Sequence, residues 1–321
     1  MTEQRPAFFV AIVLAAAVVL AALPLVLPPF YVRVGQLMIY SAGLAVAWTI
    51  LGGFAGYASF GHAAFIGVGA FAAGLVEDRL SGLPVSLMLP IGLLVGGLAC
   101  AILSAAVAYP ILRLRGTFFA IAMLGVSHVC AELNNNLDVL QGSLGLNFPS
   151  ITPAGWDPAT FFYELYLVAG VIVFLIAWQI RRSRFGAGLL SIREDEDTAR
   201  MLGVPTERYK RQAFVISAVL TGLLGVIYGH SLGYITTDSV YRDDTNLNLI
   251  VYSLLGGMGT LFGPLYGTIA FFVLEESLKP LLDLVRKGWG EYWQIVFGPM
   301  LVMIALYARG GIDSLLGRRR G

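Results

Sequence analysis

One polar segment interrupts an otherwise apolar chain: RRSRFGAGLLSIREDEDTARMLGVPTERYKR, residues 181–211, which we call the island. It holds 8 of the 21 lysines and arginines, in a chain that is 57% hydrophobic and only 13% charged. Apolar runs of membrane-spanning length flank it on both sides. Because basic residues concentrate in the cytoplasmic loops of membrane proteins, the island predicts a polytopic membrane fold and marks one face of it as cytoplasmic.

The island also predicts a short helix of its own. Ser191 and Glu194 have the spacing of a capping box, in which each side chain binds a free backbone N–H at a helix start. Acidic residues fill the first turns, where the helix dipole favours negative charge. Gly203 suits the left-handed position after a helix end, and Pro205 prevents continuation. These signals predict a surface helix over Ile192–Leu202.

This expected helix carries an incomplete apolar stripe. Ile192, Ala199 and Leu202 fall along one face, and Asp195 or Glu196 interrupts it. The helix could simply join two spans as a solvated connector. Alternatively, it could dock onto a cytoplasmic partner. The local pattern leaves both interpretations open.

Composition sets the class of protein. The 321 residues have a mean hydropathy of +0.77, and their apolar segments of about 20 residues can cross a hydrocarbon layer ~30 Å thick. The net charge is only +1, so the chain has no overall positive field that would attract nucleic acid. Cys100 and Cys130 lie in apolar segments and are expected to be core residues, not a disulfide. The apolar run after Arg5 predicts an uncleaved first span.

The predicted fold is an all-α integral membrane protein, a polytopic helical bundle that forms one domain over residues 1–321. About ten spans are expected, at residues 8–27, 34–52, 61–77, 85–109, 117–133, 161–180, 212–232, 246–258, 262–278 and 291–308. Ten crossings that begin inside place both termini and the island in the cytoplasm. Most of the basic clusters agree with this arrangement, whereas Lys279, Arg286 and Lys287 fall outside and count against it.

Two glycine-rich segments predict broken or short helices: GGFAGYASFGHAAFIGVGAFAAG (52–74) and GGMGTLFGPLYG (256–267). Small residues four apart let helices pack closely in lipid. Concentrated glycines also mark places where a helix breaks beside a polar cavity, as in the central pathway of transporters. Packing and pathway roles therefore both stay open. The candidates are Gly56, Ser59, Gly61, His62, Gly67, Gly256, Gly257, Gly259 and Glu275.

Motifs for catalysis and metal binding are absent from the sequence. No G-x-x-x-x-G-K-[ST] segment occurs, which excludes a P-loop nucleotide site. No HExxH or CxxC spacing occurs, so neither a metal site nor enzymatic activity is expected. Ionisable residues within spans are functional candidates because burying them in hydrocarbon is costly. His62 and Glu275 are the strongest of these candidates. The spans contain no series of carboxylates that would form a proton relay, which disfavours an ion-coupled carrier.

Taken together, several segments resemble the branched-chain amino-acid ABC transporter permease family, of the LivM-like kind. The resemblance runs from about Gly52 to Leu278. It rests on GYASFGHAAFIGVGAF (56–71), LRLRGTFFAIAMLG (112–125), LQGSLGL (140–146), SRFGAGLLSIREDEDTARMLGVPTERYKRQAFVISA (183–218) and LLGGMGTLFGPLYG (254–267).

The resemblance implies a multi-pass permease subunit in the bacterial inner membrane, with no cofactor of its own. Its implied partners are a second homologous permease, two cytoplasmic ATPase subunits that hold ATP and Mg, and a periplasmic binding protein. Within the island, 181–211, it implies a coupling helix that seats in a cleft of the ATPase. The implied coupling residues are Arg193, Glu194, Asp195, Glu196, Ala199, Leu202 and Gly203.

The chain departs from the family pattern where Ala58 and Ser59 precede Phe60, at Gln141, and at Gly229 and His230. These departures leave the substrate open between branched-chain amino acids and the urea, short amides or aromatic acids of related permeases. A stand-alone secondary transporter is the second alternative. That alternative would reduce the island to an ordinary loop.

Overall fold

The structure, a computed structural model, describes residues 6–80, 84–137, 139, 144–299 and 311–312. Over these ranges the chain is mainly helical, as predicted. In chain order the elements are α1 (Pro6–Ala21), a 3-10 turn (Leu23–Leu25), α2 (Pro29–Leu51), α3 (His62–Arg79), α4 (Val85–Ile111), α5 (Gly116–Asn136), β1 (Leu146–Asn147), α6 (Pro158–Arg182), α7 (Arg184–Glu194), α8 (Glu196–Met201), α9 (Thr206–Leu232), β2 (Tyr234–Ile235), α10 (Thr237–Val240), α11 (Asp243–Gly256), α12 (Gly263–Val285) and a 3-10 turn (Trp289–Tyr292).

Six of the described helices are long and apolar enough to cross a membrane, so the expected number of about ten spans is not confirmed. They are Ala7–Leu25, Pro29–Leu51, Val85–Ile111, Gly116–Asn136, Pro158–Arg182 and Thr206–Leu232. The other expected spans do contain helices, but α11 has only 14 residues, or about 21 Å, and charged residues lie in the last turns of α3 and within α12. In the last expected span, 291–308, residues 291–292 end the second 3-10 turn and residues 293–299 are helical, and residues 300–308 lie outside the described residues.

The core forms around α9. This helix packs against α2, α3 and α4, and α2 packs in turn against α6. Trp48, Phe65 and Phe214 are fully buried where these helices meet. By contrast, none of the span Ala7–Leu25 is buried within the chain, so α1 lies at the periphery. In lipid, helices gain stability mainly from close van der Waals packing, which these large rings provide at the centre of the bundle.

Contacts between α1 and α6 define the two ends of the bundle. The rings of Phe9 and Trp178 stack with centroids 4.9 Å apart, close to the point where α6 enters the island. The Tyr163 hydroxyl, near the start of α6, donates to the Leu20 carbonyl at 3.0 Å. The two helices are therefore antiparallel. We call the end with Phe9 and the island the island end, and the other the opposite end.

The glycine-rich segments break their helices as predicted. Residues 52–61 are non-helical between α2 and α3, and residues 257–262 are non-helical between α11 and α12. Gly56 and Gly259 have φ angles of 78° and 83°. Those backbone conformations are open to glycine at no steric cost and are uncommon for other residues.

A two-stranded antiparallel sheet lies at the opposite end, and no pattern in the sequence predicts it. Leu146 pairs with Ile235, so the long loop after α5 is tied to the segment after α9. Phe148 follows the strand and packs edge-on against His230, with ring centroids 4.7 Å apart. Strands of two residues carry almost no pattern of alternation, which explains why they were missed.

Candidate functional site

The island folds into two helices, α7 and α8, and not into the single helix expected over Ile192–Leu202. The expected cap at Ser191 was wrong, because its hydroxyl lies inside α7 and donates to the Gly188 carbonyl. Asp195 is the real break: its backbone is extended and its carboxylate accepts the Thr198 N–H at the start of α8. Aspartate competes for nearby backbone donors in this way and so favours a helix start over a helix interior.

The predicted helix end is confirmed. Gly203 has a φ of 86°. Its N–H donates to the Arg200 carbonyl, and the Val204 N–H reaches back to the Ala199 carbonyl, both at 3.0 Å. This pair of hydrogen bonds is a Schellman motif, which satisfies the last carbonyls of α8 and turns the chain toward α9.

A buried lysine of α9 holds α8 from beneath. Lys210 is only 1% exposed, and its ammonium lies 2.7 Å from the Glu196 carboxylate. It also donates to the Tyr57 hydroxyl at 3.1 Å and to the Leu112 carbonyl at 3.2 Å. The Tyr57 hydroxyl in turn donates to Glu196. These contacts join α8, α9, the 52–61 break and the end of α4, and we call Tyr57, Glu196 and Lys210 the latch.

Electrostatics favour the charged form of the latch carboxylate. Burial alone would raise the pKa of Glu196, but hydrogen bonds from Lys210 and Tyr57, with the Lys210 and Arg115 charges, lower it on balance. Since the folded-state pKa lies below the ordinary one, the stabilisation is complete above the ordinary pKa of about 4.3. It is lost only as the pH falls through the lower folded-state value.

A second, exposed contact fastens α8 to the turn between α4 and α5. The Arg115 guanidinium makes two hydrogen bonds of 2.9 Å to the Asp197 carboxylate, one to each oxygen. The hydrogen bonds from Arg115 hold the pKa of Asp197 below its usual range. Because both side chains are at least half exposed, water and salt screen this pair and its contribution to stability is small.

The island also contacts the second glycine-rich break. Arg193 donates from Nη1 to the Met258 carbonyl at 3.1 Å. Gly56 also lies against Arg193, since a Cβ placed on Gly56 would be 3.1 Å from the Arg193 Cγ. Arg193 therefore lies between the 52–61 and 257–262 breaks. Both predicted interruptions meet at the island.

The outer face of α8 is open, but not along the expected stripe. Ala199 is 1% exposed and Ile192 is 4% exposed, so both pack into their own chain. Leu202 and Met201 are 78% and 80% exposed at the tip of α8. Glu194, Asp195 and Gly203 are exposed beside them. A groove of about 430 Å³ adjoins this tip, and its lining includes Gly188, Leu202, Gly203, Val204 and Tyr209.

Among the pathway candidates, His62 and Ser59 lie in a closed hydrogen-bond chain. Ser217 donates to the Ala47 carbonyl at 2.7 Å, so its oxygen accepts from His62 Nε2 at 2.8 Å. His62 Nδ1 then accepts from the Ser59 hydroxyl at 3.0 Å. Both His62 and Ser59 are fully buried. Their contacts join α2, α3, α9 and the 52–61 break, which favours a packing role over a pathway role.

We expect Ser217→Ala to lower the free energy of unfolding by about 1–3 kcal/mol, because it leaves the buried His62 Nε2–H without an acceptor. Thr221→Val is the matched control. Thr221 lies one turn further along α9 and is fully buried, and no partner for its hydroxyl is found among the described residues. Thermal unfolding in detergent should show a lower midpoint for Ser217→Ala only. Equal midpoints would contradict the assigned chain of hydrogen bonds.

Of the remaining candidates, the glycines lie at contacts within the chain, whereas Glu275 lines a cavity. Gly61 and Gly67 are buried in this chain, against Met123 and Tyr241 respectively. Gly256 and Gly257 lie where α11 and α12 meet. Glu275 of α12 instead lines a cavity at the opposite end. The described residues contain no cluster of His, Cys, Asp or Glu that could hold a metal ion.

Sequence reasoning missed Lys210 and its partner Tyr57, which are separated by 153 residues. One signal was available: Lys210 stands three and four residues before Ala213 and Phe214, in line with the buried face of α9. It also missed Glu77, whose carboxylate lies 3.2 Å from His230 with both side chains fully buried. In both cases the available signal was a charged residue on an otherwise apolar helix face, which indicates a buried partner or a functional role.

Comparison with known proteins gives a family and several relatives. The family described as "Branched-chain amino acid transport system / permease component" matches residues 30–305. The chain is 28% identical over 318 residues to the high-affinity branched-chain amino acid transport system permease protein LivM of Escherichia coli, covering 88% of this chain and 71% of that protein. It is 23% identical over 292 residues to LivH of Salmonella typhimurium, covering 86% and 90%.

Among solved structures, the chain is similar to PsaBC from Streptococcus pneumoniae in complex with Fab, at 15% identity and a TM-score of 0.43, over 92% of this chain and 95% of that chain. The family match covers far more than half of the chain. It includes both glycine-rich breaks and the whole island. This protein therefore belongs to the family of branched-chain amino acid transport system permease components.

Proposed function

We propose that this chain is the transmembrane permease subunit of an ATP-driven importer in the bacterial inner membrane. Its substrates are branched-chain or related amino acids, delivered by a periplasmic binding protein. It pairs with a second homologous permease and with two cytoplasmic ATPase subunits, which hold the ATP and Mg. The chain itself binds no cofactor. Its role is to open and close the pathway by which the substrate crosses the membrane.

The open tip of α8 is the observation that carries this proposal. Leu202 and Met201 are exposed at the island end, next to an apolar-walled groove. Exposed apolar residues beside a pocket are typical of a surface that binds another protein. The Schellman turn at Gly203 fixes the direction in which this tip projects.

The latch supports a way for the docked helix to act on the path. Glu196 on the inner face of α8 is tied to Lys210 of α9 and to Tyr57 of the 52–61 break. Arg193 is tied to the 257–262 break. When the ATPases close and displace α8, these short contacts pull on both glycine-rich breaks. Charge-assisted hydrogen bonds of this kind are roughly twice as strong as neutral ones, which supports a joint movement of these segments.

Charge and chain direction support a cytoplasmic island end. Arg113 and Arg115 lie at this end with the basic residues of the island, as expected for cytoplasmic loops. The N-terminal end of α1 lies there too, through the Phe9–Trp178 stack. Near the other terminus, Gly311 packs against Gly257. These contacts support a cytoplasmic position for the start of α1 and for Gly311.

Leu202→Asp should abolish coupling while leaving the fold intact. We expect recovery of P-loop ATPase subunits with the tagged chain to fall at least about tenfold, because loss of a central apolar anchor costs about 2 kcal/mol or more. The chain is purified in mild detergent from its own cells, and the co-purified proteins are identified.

Leu144→Asp is the matched control, since Leu144 is equally exposed, at 78%, but lies at the opposite end. It should keep full recovery of the ATPase subunits. Equal recovery with both variants would count against docking at α8. Recovery of the wild-type chain alone, with uptake driven by an ion gradient, would instead show a secondary transporter.

A further inference from the structure

A cavity opens between α2, α9, α11 and α12 at the opposite end of the bundle. Its volume is about 450 Å³, within the range of about 300–1,000 Å³ that small-molecule sites have. Its lining includes Tyr40 and Ser41 of α2, Tyr228 of α9, Tyr252 of α11 and Glu275 of α12. The island and its latch lie at the other end, so this cavity is separate from the coupling site.

The polar wall of the cavity carries both signs of charge. Arg242 and Asp244 form one ion pair, with Nε 3.0 Å from Oδ1, and Lys279 and Glu275 form another at 2.8 Å. Arg242 and Lys279 stay 54% and 40% exposed, and Glu275 is 20% exposed. An arginine has five N–H donors, and Asp244 accepts from two of the nitrogens of Arg242. Among the described residues the other donors of Arg242 have no hydrogen-bond acceptor, so they can bind a carboxylate without breaking the pair.

Another part of the cavity lining is apolar and aromatic. Ile66, Phe271, Phe272, Trp293 and Phe297 line it. Phe271 is the centre of this group, with ring centroids 4.9 Å from Tyr252 and 5.5 Å from Trp293. Such a wall gains free energy by covering an apolar side chain of a ligand.

We infer that this cavity binds the transported substrate, as an α-amino acid with an apolar side chain, and this rests on the proposed importer function. Arg242 takes the carboxylate, Glu275 takes the ammonium group, and the wall around Phe271 covers the side chain. A zwitterion uses both charges at once. Urea has no charge to match them, and an acid without an amino group forms no contact with Glu275 beyond the Lys279 pair that is already there.

The cavity and the island are connected by two helices. The helices α11 and α12 line the cavity at one end and converge on the 257–262 break at the other. That break is held by Arg193 through the Met258 carbonyl. A ligand in the cavity and a displacement of α8 would therefore both act on α11 and α12.

The test measures binding to the complex purified through this chain and placed in nanodiscs, without the binding protein. The probe is radiolabelled L-leucine, used up to millimolar concentrations, with unlabelled isocaproate, isoamylamine and urea as competitors. Isocaproate lacks the amino group and isoamylamine lacks the carboxylate. We expect L-leucine to displace the label and the three competitors to displace it at least about tenfold less well.

Two substitutions then assign the polar contacts. Arg242→Gln and Glu275→Gln should each raise the Kd for L-leucine at least about tenfold, the loss expected for one hydrogen bond to a charged group. The controls are Arg286→Gln and Glu132→Gln, which remove exposed charges at the same end and outside the cavity lining. Unfolding midpoints confirm that the variants fold. An unchanged Kd in folded Arg242→Gln and Glu275→Gln, or displacement by urea equal to that by L-leucine, would overturn the inference.

ATP-driven uptake of L-leucine into proteoliposomes, with the binding protein present, separates the two proposals. Uptake by a wild-type complex that shows no binding in nanodiscs overturns the cavity assignment and leaves the importer standing. Binding that responds to Arg242→Gln, without any ATP-driven uptake, supports the cavity and contradicts the importer.

Discussion

Lys210→Met is expected to uncouple transport and to lower the free energy of unfolding by about 3–5 kcal/mol, the usual cost of removing one partner of a buried ion pair. The ammonium is 1% exposed and the Glu196 carboxylate beside it is 8% exposed. Methionine fills similar space but leaves that carboxylate buried without its closest cation. The Tyr57 hydroxyl and the Leu112 carbonyl lose a donor at the same time.

Arg211→Met is the matched control for this substitution. It removes the next charge on α9, which is exposed and whose Nε donates to the Glu207 carbonyl at 3.3 Å. Surface changes of this kind usually stay within about 0.5 kcal/mol. Thermal unfolding reports stability, and substrate-stimulated ATPase activity of the complex reports coupling. A Lys210→Met protein with wild-type midpoint and wild-type stimulation would show that the latch has no role.

A double variant separates the latch from a general loss of stability. Glu196→Gln alone removes the charge that Lys210 neutralises, and it should also be destabilising. Residues in direct contact are not additive, so Lys210→Met with Glu196→Gln should cost clearly less than the sum of the two single changes. Additive effects would place the two side chains in separate interactions.

Local signals in the sequence predicted the helices and their interruptions well. Apolar length located the helical segments, Gly203 located the end of α8, and the glycine runs located the two breaks. Each of these signals depends on a few residues that are adjacent in the sequence, so it can be recognised without knowledge of the fold. The start of α8 was misjudged because Ser191 and Asp195 both suit a cap, and only the folded chain shows which one accepts an N–H.

Long-range pairings could not be predicted in the same way. Lys210 and Tyr57 meet across 153 residues, as do Glu77 and His230. A sequence shows that a charge stands on an apolar face, but not which partner neutralises it. The orientation of Ala199 is another example, because a stripe on a short helix can face a partner or its own chain. Here it faces its own chain, and the exposed tip is left to Leu202 and Met201.

The crossing of α11 and α12 explains why glycines recur there. A Cβ at Gly267 would lie 1.7 Å from the Tyr252 carbonyl oxygen and 2.8 Å from the Gly256 nitrogen. A Cβ at Gly256 would lie 1.6 Å from the Gly263 carbonyl oxygen. These are backbone atoms, and no side chain can rotate away to make room. The two helices can pack this closely only where both lack side chains.

Gly267→Ala should therefore lower the free energy of unfolding by about 3 kcal/mol or more, at or above the upper range for overpacking. Gly125→Ala is the control, because Gly125 lies within α5 and a Cβ there meets nothing within 4 Å. That change should be neutral or should stabilise the helix by about 0.5–1 kcal/mol. Unfolding midpoints of the two purified proteins give the comparison. The helices α11 and α12 join the cavity to the 257–262 break, so the folded Gly267→Ala protein should also take up L-leucine more slowly. A wild-type unfolding midpoint together with wild-type uptake would contradict the close crossing of the two helices.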